Sequence, residues 1–120
     1  MNNNLPKTGG NAALLYDLTY LESAGQEDRE FIKKLVSMFI EIMPVNLDEL
    51  NEVVKTKDFK QIRKTAHKIK SSIDLLGIHS LTDTIRAIEF IAEDDNRLEK
   101  HVETLNSMMI EVYAQLKELL

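Results

Sequence analysis

In the stretch "RKTAHKIKSSIDLLGI", residues 63–78, one imidazole stands among cations. Arg63 and Lys64 come one turn before His67, Lys70 follows three residues on, and two small hydroxyl residues, Ser71 and Ser72, come next. Phe59, Ile62, Ala66, Ile69, Ile73 and Leu76 alternate steps of three and four, so the segment reads as a helix with one apolar face. On a wheel of about 100° per residue, His67 lies roughly 130° from the centre of that face, on the solvent side. Lys60, Arg63, Lys70, Ser71 and Asp74 fall within about 50° of it, and Lys64 slightly further round.

Cations one turn either side of a histidine favour its neutral, nucleophilic form. They also stabilise an anion that approaches or joins the ring, through charge-assisted hydrogen bonds. Ser71, four residues on, leaves open the space over the imidazole that a larger side chain would fill. An accessible imidazole beside Lys70 is suited to carrying a phosphoryl group. The plainer reading is a solvated histidine on an ordinary basic face. Asp74 is placed to hold Lys70 by an i, i+4 pair.

Composition narrows the alternatives. The chain has 120 residues, 43% hydrophobic and 29% charged, enough for a single core. Fifteen Lys and Arg against 20 Asp and Glu give a net charge of −5, which argues against general nucleic-acid binding. There is no cysteine, which excludes disulfides and thiol chemistry, and His67, His79 and His101 show no metal-binding spacing. His79 and His101 read as solvated side chains. No apolar run is long enough for a membrane span, and the opening "MNNNLPKTGGNAALL" lacks the order of a secretion signal, so a cytoplasmic protein is expected.

The elements that must position His67 are helices. Residues 1–13 read as a flexible N-terminal arm, and residues 14–120 as a helical bundle domain. "LLYDLTYLES" reads as a short helix ending before Gly25. From Glu27 to Val54, Phe31, Leu35, Met38 and Ile42 form an apolar stripe that Leu47, Leu50 and Val54 resume beyond Pro44, giving one kinked helix, with two shorter ones as the alternative. Asp58 and Gln61 suggest a capping box for the histidine helix, and Gly77 is its stop. Ser80 and Asp83 suggest a cap for a helix with Leu81, Ile85, Ile88 and Ala92 inside. Asn96 and Glu99 suggest one for a last helix seamed by Leu98, Val102, Leu105, Met109, Val112, Leu116 and Leu119. Four amphipathic stripes with short connections predict an all-α, antiparallel four-helix bundle with a short N-terminal helix.

The run "AHKIKSSIDLLGI" resembles the signature of histidine-containing phosphotransfer (HPt) domains: an aliphatic residue at +2, Lys at +3, small residues at +4 and +5, and Gly at +10. These positions are Ile69, Lys70, Ser71, Ser72 and Gly77, with Ser71 where Gly is more usual. The resemblance extends more loosely over residues 15–120, including "YDLTYL", "DFKQIRKTAH" and the acidic "AIE" after the turn. It implies a phosphorelay intermediate in two-component signalling. His67 would accept a phosphoryl group from a phospho-aspartate of one receiver and pass it to another. Lys70 would stabilise the phosphoryl oxygens, with Arg63 and Lys64 as a supporting collar. It further implies no kinase activity, no cofactor beyond Mg²⁺ on the receiver, and response-regulator receivers or a hybrid sensor histidine kinase as partners. No nucleic acid and no membrane would take part, and a monomer is expected. Apolar side chains near Ile32, Val36 and Phe39 left outside the core would meet the partner. The alternative is a non-catalytic helical adaptor that binds receivers without phosphoryl chemistry.

Overall fold

The structure is a computed structural model that describes residues 13–25 and 28–120. Apart from Ala13, the arm expected over residues 1–13 lies outside the described residues, as does Glu27. Among the described residues five α-helices follow one another: α1 (Thr19–Ala24), α2 (Arg29–Lys55), α3 (Phe59–Leu75), α4 (Thr82–Glu89, entered through a 3₁₀ turn at His79–Leu81) and α5 (Leu98–Lys117). No strand occurs among the described residues. Helices α2 to α5 enclose one core, in which α3 packs on both α2 and α4, and α5 packs on α2 and α4. This is the expected all-α four-helix bundle with a short N-terminal helix.

Helix α3 matches its pattern closely. Ile62, Ala66, Ile69, Ile73 and Leu76 are fully buried, and the Asp58 carboxylate accepts the Gln61 backbone N–H at 3.3 Å. The reciprocal half of the expected box is missing, because the Asp58 N–H already bonds the Val53 carbonyl at 3.0 Å. Gly77 ends the helix at φ +59°, the left-handed conformation that a side chain disfavours. It has a second task as well. The extended segment before α1 crosses here, the Asp17 N–H bonding the Leu76 carbonyl at 3.0 Å, and a Cβ on Gly77 would collide with the Asp17 carbonyl.

Helix α2 is the single helix expected, but its buried face corrects the sequence reading. It runs unbroken through Pro44 for 27 residues. Pro44 lies on the exposed side, so the Ile40 carbonyl that it leaves without a helical donor can be hydrated. The buried face is Val36, Phe39, Met43, Leu47, Leu50 and Val54. Phe31, Met38 and Ile42, expected in the core, are 42%, 44% and 46% exposed. Conversely Val36 and Phe39, expected at a partner surface, are buried, and Ile32 is half-buried against the core. Two apolar stripes run side by side on this helix, one residue apart. Only the one through Met43 continues in step to Leu47, whereas from Ile42 a jump of five residues would be needed.

Several termini also differ from expectation. Residues 14–18 are not helical, because the Asp17 carboxylate accepts from the Thr19 N–H (3.0 Å) and hydroxyl (2.6 Å), which delays α1 to Thr19. No side chain caps α4 at Ser80, and Ala92 is exposed beyond its end, with Ile91 buried instead. At α5 the Asp95 carboxylate, not Asn96, accepts the Arg97 N–H at 2.9 Å. Two hydrogen bonds from the Arg97 guanidinium help hold the Asp95 carboxyl down at about 2.

The segment before α1 is tied at both ends. The Leu15 N–H donates to the Gln115 side-chain oxygen at 2.7 Å, and the Gln115 amide donates to the Ala13 carbonyl at 3.3 Å. Inside the bundle, Phe39 and Tyr113 meet edge to face, with ring centroids 6.4 Å apart. Burial, with Asp48 nearby, pushes the Tyr113 phenol up to about 12.

Candidate functional site

His67 lies on the outer face of α3, its side chain 66% exposed. The residue in contact with the ring comes from α4: Nδ1 lies 2.5 Å from Oε2 of Glu89. Glu89 itself is only 11% exposed, tucked between the helices beside the buried Ile85 and Ile88. Its other oxygen, Oε1, is buried with no hydrogen-bond partner among the described residues. A carboxylate accepts, so Nδ1 carries the proton and donates it. In the neutral ring this tautomer leaves the lone pair on Nε2, which has no hydrogen-bond partner among the described residues. The ring is held from behind by an acid of α4, where the wheel of α3 placed four cations, Asp74 and Ser71 around it.

The basic residues are distributed differently from a collar. Lys70, 23% exposed, pairs with Asp74 at 3.4 Å, as the spacing predicted. Arg63 turns away to the end of α4, where its guanidinium donates to the Ile91 carbonyl at 3.4 Å and lies 5.9 Å over the Phe59 ring. Lys64 is exposed and makes no ion pair among the described residues. Lys68 crosses to α2 and meets Glu49 at 2.9 Å.

The two serines separate. The Ser71 hydroxyl is exposed and donates back to the His67 carbonyl at 3.3 Å, so it folds onto its own helix and leaves the ring face open. Ser72 is half-buried and points toward α2. There it borders a cavity of about 160 Å³ lined by Leu35, Met38, Phe39, Ile42, Met43, Leu75 and Leu76. The exposed Met38 and Ile42 of α2 thus rim a depression whose α3 wall begins at Ser72, five residues beyond His67.

His79 and His101 lie elsewhere. His79 is 76% exposed, with Nε2 3.4 Å from Asp17, and His101 is half-buried near the start of α5. No cluster of three or more His, Asp or Glu among the described residues is arranged to hold a metal ion, and no helix among them is long and apolar enough to cross a membrane.

Glu89 is the site residue that the spacing around His67 does not reveal, since 22 residues separate the two. The available signal was an acid next to Ile88 and four residues after Ile85, at the border of a buried stripe. A family model, that of the Hpt domain, matches residues 34–120, well over half of the chain and all of α3 and α4. No curated protein and no solved structure matches.

Proposed function

Because this chain belongs to the Hpt domain family, phosphocarrier modules of two-component signalling rather than enzymes, we propose that His67 is its phosphorylated residue. It takes a phosphoryl group from a phospho-aspartate of one response-regulator receiver and passes it to another. The observation that carries this reading is an exposed imidazole whose Nδ1–H is held by a buried carboxylate. Nε2 is the nucleophile, and its lone pair attacks phosphorus in line with the departing aspartyl oxygen.

The remaining residues take supporting roles. Lys70 sits one turn along α3 and neutralises charge on the phosphoryl oxygens, with Asp74 limiting its travel. The receiver supplies Mg²⁺ and most of the electrostatic stabilisation; this domain positions the nucleophile and leaves its approach clear. Arg63 belongs to the α3–α4 packing, and Lys64 contributes only long-range attraction. Gly77 is structural. The surface that meets the receiver is apolar and centres on Met38 and Ile42, whose side chains are exposed beside the α2–α3 depression.

The test is incubation with a phosphorylated receiver or hybrid sensor kinase. The chain becomes labelled with the acid-labile, alkali-stable character of a phosphoramidate, and His67→Gln abolishes the label. Labelling that persists in His67→Gln would falsify the assignment. A chain that binds receivers with and without His67 but is never labelled would instead be a non-catalytic adaptor.

A further inference from the structure

Resting on the carrier reading above, we infer that the negative charge of Glu89 sets how readily phosphorylated His67 gives up its phosphoryl group, by keeping the phosphorylated ring in its protonated form.

The chemistry begins with a neutral imidazole whose Nδ1–H is donated to Glu89. When the Nε2 lone pair forms the N–P bond, the P–O bond to the donor breaks and its electron pair leaves on the aspartyl oxygen. The ring keeps its Nδ1 proton and becomes a cation. On donation the N–P bond breaks, its pair returns to Nε2, and a neutral imidazole departs. If the Nδ1 proton has been lost to solvent, the same cleavage must expel an imidazolide anion, a far poorer leaving group. Retention of one proton therefore separates a labile phosphohistidine from an inert one.

Glu89 is built to retain it. The carboxylate is 2.5 Å from Nδ1 and largely withdrawn from water, and its second oxygen has no other hydrogen-bond partner among the described residues. A buried carboxylate left with a single neutral partner is costly, and that cost falls when the partner turns cationic. The charge thus acts most strongly on the phosphorylated state and on the transition states leading into and out of it. The nearby cations are largely engaged elsewhere: Lys70 with Asp74, Lys68 with Glu49 of α2, and Arg63 with the Ile91 carbonyl. Lys64 on α3 and Arg86 on α4 make no ion pair among the described residues. Glu89 is a positioning residue in this scheme, since it acts on the reacting nitrogen through the ring.

Glu89→Gln keeps the shape and the hydrogen bond but removes the charge. Wild type and Glu89→Gln are phosphorylated with phosphoramidate, and decay of the phosphorylated chain is followed by intact mass. Charge-assisted hydrogen bonds are about twice as strong as neutral ones, so the Glu89→Gln phospho-form is expected to persist roughly tenfold longer and to donate to a receiver correspondingly more slowly. Nitrogen NMR should find Nδ1 protonated in phosphorylated wild type and bare in the variant. A loosened site would not lengthen the lifetime or move that signal. Equal lifetimes with intact labelling of His67 would overturn this inference and leave the carrier reading standing. No labelling of wild type by phosphoramidate or by any phosphorylated receiver would overturn both. Should Glu89→Gln fail to fold, a bare Nδ1 in phosphorylated wild type is enough to reject the proposal.

Discussion

Two histidines in this molecule each face a carboxylate on another segment, and the pairs differ in almost every respect that matters for chemistry. His67 and His79 are similarly exposed, at 66% and 76%. The acid facing His67 is 11% exposed and has no other hydrogen-bond partner among the described residues. The acid facing His79 is 47% exposed, 3.4 Å away, and already accepts two hydrogen bonds from Thr19. Ring exposure therefore does not distinguish a reactive imidazole from a structural one. The burial and vacancy of its partner do, because a charge in water is screened and a charge behind a helix is not. In the proposed function one pair orients a nucleophile, while the other ties the turn after α3 to a crossing segment.

Exchanging the histidines breaks the comparison most directly. His67→Gln is expected to remove all phosphoryl labelling, and His79→Gln to leave it at the wild-type level, both read by mass spectrometry. Next in size is Gly77→Ala, at the junction of the α3 C-terminus and the crossing segment. A side chain at φ +59° that also meets the Asp17 carbonyl should cost about 1–3 kcal/mol. A lowered midpoint in denaturant with unchanged transfer from the folded protein would keep the two regions separate; loss of transfer would join them.

Lys70→Ala sharpens the same contrast on the His67 side. Transfer should slow about tenfold, the value of a charge-assisted contact to the phosphoryl oxygens. Stability should move by less than about 0.5 kcal/mol, because no core volume is lost. An unchanged transfer rate would remove Lys70 from the mechanism. The smallest effect is expected from acid. Hydrogen bonds from the Thr19 hydroxyl and N–H, and then from His79, hold the Asp17 carboxyl below its ordinary value of 3.8. Its contribution is complete above the ordinary value and lost as pH falls through the lowered one. Amide exchange at Thr19 should therefore accelerate below about pH 4, and Asp17→Asn should flatten that response.

The sequence was legible where one physical constraint acted alone. Helix α3 has a single apolar stripe, a capping acid and a glycine stop, so its bounds, its buried residues and the outward aspect of His67 could all be read from spacing. In α2, apolar residues occupy two adjacent stripes, and only packing decides between them. The one clue was the unbroken sequence of steps from Met43 through Leu47 to Val54. Local capping was least legible at α1 and α5, where Asp17 and Asp95 take backbone donors that the spacing assigned to other residues. Glu89 was marked only as the acid of the "AIE" run, and its contact with His67 escaped for another reason: it exists only once α4 lies on α3.

The chain's end-to-end tie has a kinetic meaning. His67 and Glu89 are 22 residues apart, but the bond from Leu15 to Gln115 spans 100. Closing a longer loop sacrifices more chain freedom before any contact repays it, so short-range pairings tend to form first. The histidine helix and its acid can therefore meet early, in a hairpin of neighbouring helices. The crossing segment locks late, once the last helix is in place.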